Sequence, residues 1–464
     1  MAGEDRDRLF EDLPEAVGPE LAGGGRPRLR RAERGQVELR AVSLDELVAG
    51  DHRVRLVWGF VEGLDLSALY REIKAVEGRP GHPPADPRIL VALWLYATAE
   101  GIGSARELAR LCEQHLAYQW LCGGVGMNHK TLSDFRVGHG AVLEGLLVDS
   151  FAALLKSGVA SLERTAQDGV RVRASAGAAS FRRHSTLKQC HRQARQAVER
   201  LRGELEADPG AASRREAAAR KRAAADRERR VRAALAITAA LQDEQEAQAR
   251  RRAGRAAKRG ERNDEAAADK QGEAAGEKEP RASTSDAQAR VMKMADGGFR
   301  PAYNVQFAAD TRSGAVAGVA LDNLGSDMGK MAPMNDALAK AYGRRPCQHL
   351  ADGGFAKLDD IEALAQAGVV TFVPVPAPRD KRRDRHQPRP DDAPAVAAWR
   401  RRMAGEEAKA IYKQRAATVE LVNAQARNRG LTQFLVRGIA KAKAVALWHA
   451  LAHNMACTWR LVPA

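Results

Sequence analysis

Three carboxylates in this chain have neighbours that suit the chemistry of phosphoryl transfer. Asp168 and Asp352 each follow a stretch predicted to form a strand and each precede a glycine, while Glu420 lies on a predicted basic helix. Hard divalent cations prefer carboxylate oxygens, and two such ions about 4 Å apart can flank one phosphate. In a strongly basic chain, this combination predicts an enzyme that cuts and rejoins nucleic acid.

The predicted helix around Glu420 gathers polar side chains on one side. At about 100° per residue these positions fall within an arc of roughly 140°. They are Tyr412, Arg415, Glu420, Asn423 and Arg427, and all of them except Glu420 are predicted to contact DNA. A carboxylate for metal beside a guanidinium for phosphate suits a site that cleaves phosphodiesters. The alternative is a solvated helix face, although the opposite side carries small and apolar residues for packing.

Each Asp-Gly pair, taken alone, is also good turn chemistry. The order of the predicted elements argues for a larger arrangement, because it is typical of a mixed α/β sheet flanked by helices. Strands are predicted at 165–175, 303–310, 315–321, 347–351 and 369–376. If the first and fourth strands are parallel neighbours, Asp168 and Asp352 meet at their carboxyl ends, where open α/β sheets place their sites.

The charge of the chain indicates a polyanionic partner. Its 464 residues carry a formal net charge of +16, which favours nucleic acid, with an acidic lipid surface as the rival. No apolar run reaches the roughly 18 to 20 residues that span a bilayer. Five scattered cysteines without a CxxC pair indicate reduced thiols and a cytoplasmic location. We therefore expect double-stranded DNA as the partner and no membrane.

Composition divides the chain into five predicted regions. They are a flexible leader (1–43), an N-terminal helical DNA-binding domain (44–157), the first part of a catalytic domain (160–185), an insertion (186–285) and the second part of the catalytic domain (286–464). The insertion is rich in Ala, Arg and Glu with a thin apolar stripe, which predicts an antiparallel helical hairpin broken near residue 209. Its last part, 258–285, has almost no apolar residues and is predicted to be flexible.

The N-terminal helical region contains a possible helix-turn-helix. Ser104 predicts the start of a helix over 105–114, and a second short helix can begin at Thr131, after a glycine-rich break. Lys130 and Arg136 would then offer a cationic edge to DNA phosphates. The alternative is a helical bundle that only packs on the next domain.

Several strings of residues together resemble the DDE-type transposases of bacterial insertion sequences, whose catalytic domain has the ribonuclease-H-like fold. The similarity covers nearly the whole chain except the leader and residues 258–285. The strings are Asp86-Pro87-Arg88, Trp120–Gly124, Thr131–Arg136, Met292–Asn304 and Val436-Arg437-Gly438. The resemblance implies Asp168, Asp352 and Glu420 as ligands of catalytic Mg²⁺, for which Mn²⁺ can substitute.

The resemblance further implies that Tyr412, Arg415 and Arg427 correspond to the Tyr-Arg-Glu-Lys signature helix of the family. Two departures stand out. The family commonly has three residues between the signature Arg and Glu, whereas four separate Arg415 from Glu420. The signature Lys is Arg427 in this chain, and an arginine can clamp phosphate bidentately. Many relatives also place their insertion after the fifth strand, and not after the first.

The predicted activity follows from this resemblance. It implies binding to the terminal inverted repeats of an insertion sequence, followed by Mg²⁺-dependent DNA cleavage and strand transfer. Paired ends imply a homodimer on DNA, associated with a bacterial nucleoid. Two alternatives stay open, a structure-selective DNA nuclease of the same fold and a non-catalytic DNA-binding protein derived from a transposase.

A second metal site is conceivable on the last predicted helix. His449, His453 and Cys457 recur every four residues and would align three zinc ligands. No fourth ligand is evident nearby, and the apolar neighbours favour a packing helix. Further carboxylates in turn-like contexts are Asp296, Asp310 and Asp327.

Overall fold

A computed structural model describes Gly35, Val37 and residues 41–78, 81–207, 214–258, 279–378, 380 and 382–461. The chain divides into two compact units, Met1–Ser43 and Leu44–Ala464, and every element below belongs to the second. Most of the predicted leader, the predicted break of the hairpin and most of the stretch predicted to be flexible lie outside the described residues.

Helices make up the described chain ahead of the first strand. Their starts follow local capping, since Ser104 Oγ accepts a hydrogen bond from Glu107 N at 3.3 Å and the helix after it covers the predicted residues. The second predicted helix begins two residues early because Asn128 accepts the amides of Lys130 and Thr131. The helices are α1 (Arg53–Glu62), α2 (Ser67–Arg71), α3 (Pro87–Ala99), α4 (Ala105–Gln114), α5 (Leu116–Cys122), α6 (His129–Gly138) and α7 (Gly140–Lys156).

A mixed sheet forms the centre of the second unit, as predicted for an α/β fold. Its six strands are β1 (Arg164–Arg173), β4 (Arg290–Lys293), β5 (Phe299–Asp310), β6 (Val316–Asp322), β7 (Gln348–Leu350) and β8 (Val370–Phe372). The two remaining strands, β2 (Phe181–Arg183) and β3 (Arg281–Ser283), form a separate small sheet. The order is β4-β5-β1-β7-β8, with β6 also on β5. β1 is antiparallel to β5 and parallel to β7, and β7 is parallel to β8.

β1 has nearly the predicted extent, and Asp168 lies inside it and not at its end. The strand continues for five residues beyond this aspartate, and Gly169 is paired with Gln306 of β5. The prediction that the first strand ends on Asp168 is therefore wrong, and the Asp-Gly pair is not a turn. Val170 and Val172 are buried, so ladder pairing and burial together extend the strand.

The insertion consists of two packed helices. α8 (His184–Ala207) and α9 (Arg214–Lys258) follow β2, and their apolar seam includes the buried Leu187, Val231 and Ala234. β2 and β3 pair antiparallel, so the two ends of the insertion are tied together next to the main sheet. This arrangement agrees with the predicted helical hairpin over the described residues.

The chain ends in helices that close the core. After α10 (Met331–Tyr342) and α11 (Leu358–Gln366) come α12 (Pro394–Ala404), α13 (Glu406–Arg415), a π turn (Ala416–Glu420), α14 (Leu421–Asn428) and α15 (Ile439–Leu461). The predicted helix around Glu420 therefore contains a π turn between two α-helical stretches. α15 is buried along most of its length, and its Trp448 indole donates to the Arg136 carbonyl of α6 at 2.9 Å. The N-terminal helices consequently share one hydrophobic core with the sheet.

Within the described residues, no single helix is long and apolar enough to cross a membrane. One bent pair, His129–Gly138 with Gly140–Lys156, meets the criteria of length and composition with a 67° bend. Leu132, Leu146 and Phe151 of this pair are buried inside the protein.

Candidate active site

Asp168 and Asp352 lie side by side on neighbouring parallel strands. Ala166 of β1 is paired with Leu350 of β7, so the two aspartates, each two residues further on, hold equivalent positions just beyond the end of β7. The predicted adjacency is confirmed. Asp352 also accepts the amide of Gly354 at 2.8 Å, which fixes the start of a short 3₁₀ turn behind it.

The C-terminal helices bring Glu420 to the same place. Arg415 ends α13 and Glu420 ends the π turn, and the guanidinium Nη1 donates a hydrogen bond to Glu420 Oε1. The Nη2 atom of Arg415 lies 3.5 Å from Asp168 Oδ1 and 3.8 Å from Asp352 Oδ2. The three carboxylates predicted as metal ligands therefore surround a single cation.

Asn423 fixes one oxygen of the most buried carboxylate. Its Nδ2 donates to Asp168 Oδ2 at 3.0 Å, and Asp168 Oδ1 accepts the amide of Gly169 at 2.9 Å. Asn423 itself is buried on the first turn of α14. The Asp168 carboxylate is thus held by contacts from both the sheet and the helix above it, which limits its rotation.

The donor chemistry of this cluster suits a hard cation. Among the described residues, no group of three or more His, Cys, Asp or Glu side chains is arranged as it stands to hold a metal ion, because the Arg415 guanidinium fills the space between the carboxylates. That guanidinium is only 9% exposed, and it shows where the three carboxylates stabilise a positive charge. Carboxylate oxygens are the ligands Mg²⁺ prefers, so the residues fit a divalent cation once Arg415 turns aside.

Two stretches of the chain match families of known proteins. Residues 42–137 match the family described as Transposase domain (DUF772), and residues 264–455 match the Transposase DDE domain. This protein belongs to the DDE-type transposases of insertion sequences. The second match contains Asp352 and Glu420, whereas Asp168 lies ahead of it. No curated protein and no solved structure matches the transposase.

Burial changes the acidity of Asp168 in this transposase. Desolvation raises the pKa of Asp168 to about 6 from an ordinary value of 3.8, with the neighbouring Asp352 charge adding to the effect. The Arg415 guanidinium opposes this shift and favours the ionised carboxylate. The site is therefore tuned so that added positive charge, from arginine or metal, decides whether Asp168 is ionised near neutral pH.

The other face of β1 carries a polar layer that sequence analysis missed. Asp327 Oδ1 accepts hydrogen bonds from Asn304 Nδ2 at 2.7 Å and Gln306 Nε2 at 2.6 Å. A Cβ atom at Gly169 would collide with these three side chains, so only glycine allows β1 and the layer to approach this closely. The sequence feature that could have revealed this layer is the alternation of Asn304 and Gln306 within an otherwise apolar strand.

The polar layer continues across the sheet toward β7. Gln167 Nε2 donates to Gln306 Oε1 at 3.0 Å, and the His349 ring lies between Thr165 Oγ1 (2.9 Å) and Gln167 Oε1 (3.1 Å). Complete burial lowers the pKa of His349 to about 4, so the ring is neutral and links the two partners as donor and acceptor. Buried, satisfied networks of this kind rigidify a core, and this one ties β5, β1 and β7 together under the site.

Three residues predicted to contact DNA have other roles in this structure. Arg136 is buried, donates to the Gly103 carbonyl and stacks 4.7 Å from the centre of the Trp94 ring, so the prediction of a phosphate contact at this position is wrong. Asn423 and Arg415 are also buried and are bonded to the site carboxylates, so neither presents its polar group to the surface. Sequence periodicity identifies a shared helix face, and it does not distinguish a buried face from an exposed one.

The remaining predicted DNA contacts stay predictions. Lys130 is exposed on the first turn of α6, and Arg427 is exposed on α14. Tyr412 is half-buried above the carboxylates, and burial raises the pKa of its hydroxyl. The helix predicted over 105–114 is α4, and the structure places α5 between it and α6, so the helix-turn-helix also stays a prediction.

The other candidate ligands serve packing. His453 Nε2 lies 2.9 Å from the Gly314 carbonyl oxygen and 3.4 Å from Cys457 Sγ, and His449 is buried on the same helix. Asp310 is buried, and its two oxygens accept the amides of Leu162 and Ser313. These contacts account for Asp310, whereas the Nδ1 atoms of His449 and His453 have no hydrogen-bond partner among the described residues.

Proposed function

We propose that this transposase cleaves DNA at the ends of its own element and joins the freed ends to target DNA, using Asp168, Asp352 and Glu420 as metal-holding carboxylates. The observation that carries the proposal is the convergence of these three side chains on the guanidinium of Arg415. They come from chain segments far apart in sequence, and the mutual repulsion of clustered carboxylates is relieved by a positive charge between them.

The strand order supports a ribonuclease-H-like catalytic domain. Four strands that pair antiparallel (β4, β5, β6 and β1) continue, through β1, into the parallel strands β7 and β8. Two of the carboxylates lie at the parallel junction of β1 with β7, and the third comes from a helix that packs over it. This is the crevice position that open α/β sheets use for their sites.

The chain's own residues prepare the site for phosphoryl transfer. When bound, Mg²⁺ would activate a water or a 3′-hydroxyl and stabilise the leaving oxygen of an in-line displacement. Asn423 and the Gly169 amide hold the Asp168 carboxylate in one orientation. Arg415 neutralises the carboxylates in the absence of substrate, and its planar donor fork can instead hold a DNA phosphate bidentately. Tyr412 would exclude water from one side of the carboxylate cluster.

End recognition is assigned to the N-terminal helices. Lys130 offers an exposed cation beside the glycine-rich break, and phosphate contacts of this kind position a protein on the duplex, while base contacts give specificity. We also propose a homodimer on paired ends, located with the bacterial nucleoid. These assignments rest on the family and on charge.

The decisive experiment compares strand cleavage by carboxylate variants. The substrate is a supercoiled plasmid carrying the coding region with its flanking DNA, incubated with Mg²⁺. Asp352→Asn and Glu420→Gln should lose cleavage by a factor on the order of a thousand or more while DNA binding is kept. Asp359→Asn, an exposed aspartate on α11, is the matched control and should cleave normally. Wild-type cleavage rates in Asp352→Asn would overturn the proposal.

The same reactions separate the two rival functions. A structure-selective nuclease would cut but would not join a 3′ end to a second plasmid. A non-catalytic DNA-binding protein would bind the substrate and show no Mg²⁺-dependent cleavage. Joined products in the wild type, absent from Asp352→Asn, are expected.

A further inference from the structure

We infer that the loop between β8 and α12 is a second DNA-contacting surface, which holds the phosphate backbone beside the active site. This arginine loop comprises residues 377–393, and its described part includes Arg382, Arg383, Arg385 and Arg389. The inference rests on the proposed function for its location, since it assigns the loop to the DNA that enters the same site.

The arginine loop begins next to the catalytic edge of the sheet. β7 and β8 are parallel, with Leu350 paired to Phe372, so the chain leaving β8 runs past the turn that starts at Asp352. A Cβ atom placed on Gly353 would lie 3.8 Å from the Pro374 carbonyl oxygen. The turn after Asp352 and the chain leaving β8 are therefore in close contact. DNA lying across Asp352 would therefore lie against the start of the loop.

Three of the four acidic residues in the described part of the loop accept hydrogen bonds from its own backbone, while Asp391 is exposed. Asp380 Oδ1 accepts the amide of Arg382 at 3.0 Å, and Asp384 Oδ1 accepts the amide of His386 at 2.9 Å. Asp392 Oδ2 accepts the amide of Arg389 at 2.8 Å. These three carboxylates cap turns of the loop. Because they already accept hydrogen bonds from the loop's backbone, they repel an approaching phosphate less.

The arginine side chains of the loop, in contrast, are exposed. In the part of the chain that the structure describes, the guanidinium groups of Arg382, Arg383, Arg385 and Arg389 form no hydrogen bond and no ion pair within 4 Å. Arg383, Arg385 and Arg389 line a surface cavity of about 280 Å³, and Arg383 and Arg389 also line a neighbouring one of about 540 Å³. Asp384 also lines the smaller cavity and Asp380 the larger one, but arginines outnumber the carboxylate in each lining, which suits a polyanion.

A buried ion pair makes the loop a fixed platform. Arg400 of α12 lies 2.7 Å from Asp392, with the two side chains 5% and 3% exposed. Its Nη1 donates to the Arg385 carbonyl at 3.1 Å, and its guanidinium stacks 5.5 Å from the centre of the Trp399 ring. Because the backbone that carries the arginines is already ordered, less conformational entropy is lost when they bind phosphate.

DNA is the partner that fits this combination best. Arg383 and Arg389 line a cavity together with Ala356, four residues after Asp352. Several guanidinium groups on one loop can contact more than one phosphate of a duplex. Phosphate neutralisation by Arg releases counterions, so each contact steepens the salt dependence of binding. The salt dependence of DNA binding can therefore be measured separately from catalysis.

The test measures binding of the full chain to a fluorescein-labelled duplex of about 40 base pairs by anisotropy, between about 50 and 200 mM salt. The Arg383→Gln/Arg385→Gln double variant should lose about tenfold in affinity, and the slope of log K against log salt should fall by about 1.8. Arg383→Lys/Arg385→Lys should keep most of the slope, because the charge is retained.

The matched control is Arg312→Gln. Arg312 is exposed in the turn between β5 and β6, and the neighbouring Thr311 amide bonds to the Arg164 carbonyl at the start of β1. It therefore lies at the opposite edge of the sheet from Asp352 and should not change the slope.

Each remaining outcome decides the inference. Unchanged binding and slope in the Gln double variant would overturn it, including the case in which the loop serves an acidic protein partner. Equal losses in the Gln and Lys double variants would show that the loop's structure, and not its charge, matters, and would also overturn it. A wild type that binds through the loop but never cleaves DNA would refute the proposed function and leave this inference standing.

Discussion

Arg415 and Glu420 are five positions apart and yet are hydrogen-bonded to each other within one helical segment. In an α-helix, residues three or four apart share a face, so a five-residue separation would turn the two side chains away from each other. The π turn over Ala416–Glu420 removes this difficulty, because its wider i→i+5 turn holds one extra residue. The four-residue gap that departs from the family's spacing is thus absorbed by local geometry.

This relationship predicts the effect of deleting one residue. Removing the exposed Ala417 should convert the π turn into regular α-helix and leave Arg415 and the glutamate on one face, now four positions apart. Because α13 and α14 keep their relative rotation, cleavage should stay within about tenfold of wild type. Plasmid cleavage in Mg²⁺ measures the result.

The control for this deletion lies about two turns further on. Removing the exposed Ala424 from α14 rotates Arg427 and the following chain by about 100°, and cleavage should be abolished. Equal loss of activity in both deletion variants would contradict the assignment of the extra residue to the π turn.

A second prediction concerns Arg415 as the resident cation of the site. Arg415→Gln leaves three carboxylates facing one another, so the protein should unfold at a lower temperature than wild type at pH 7.5 without metal. Since Mg²⁺ can then neutralise the cluster directly, its addition should raise the thermal midpoint more in the variant than in the wild type. Thermal unfolding with and without Mg²⁺ measures both effects.

Arg427→Gln provides the comparison for this experiment, because Arg427 is exposed on the neighbouring α14. It should unfold like the wild type and show the wild-type response to Mg²⁺. A thermal midpoint in Arg415→Gln that responds to Mg²⁺ no more than the wild type does would refute the competition between guanidinium and metal.

The raised pKa of Asp168 predicts the pH dependence of the transposase. Metal binding needs the ionised carboxylate, so Mg²⁺-dependent cleavage should increase as the pH rises through about 6. The folded pKa lies above the ordinary value of 3.8, so the native state binds this proton more tightly than the unfolded chain. The resulting stabilisation is complete below about pH 4 and is lost as the pH rises to about 6.

Asp168→Asn isolates this effect, because asparagine imitates the protonated acid at every pH. The two proteins should have similar stabilities near pH 4. Above about pH 6, without metal, the variant should be the more stable by up to about 3 kcal/mol. A difference between their unfolding free energies that is independent of pH would refute the raised pKa.

A fourth prediction tests the polar layer behind the site. Gly169→Ala would push against Gln306, Asn304 and Asp327, whose side chains are held by hydrogen bonds. The variant should lose about 1–3 kcal/mol of stability and most of its cleavage activity, since β1 carries Asp168 next to this position. Gly59→Ala in α1, where nothing lies within 4 Å, should be neutral or stabilising. Wild-type stability in Gly169→Ala would contradict the close approach.

Local patterns in the sequence predicted the elements and the meeting of the two aspartates. Ser104 placed the start of α4, and the alternation of strands and helices made β1 and β7 neighbours. The antiparallel pairing of β1 with β5, which is remote in sequence, was not predicted. The burial of Arg136 under α15 likewise depended on tertiary packing. The extra residue between Arg415 and Glu420 was visible in the sequence, but its accommodation by a π turn was not.

The long separation between the parts of the site has a consequence for protein synthesis. Asn423 is 255 residues from Asp168, and the end of β1 is bonded to Thr432 and Phe434. A nascent chain therefore carries its first catalytic aspartate long before it carries a complete site. A chain that stops before Glu420 would also lack α15, leaving the apolar surfaces of α3 and α7 uncovered. Such exposed patches promote aggregation, so prematurely terminated chains should be removed by quality control before they can occupy DNA.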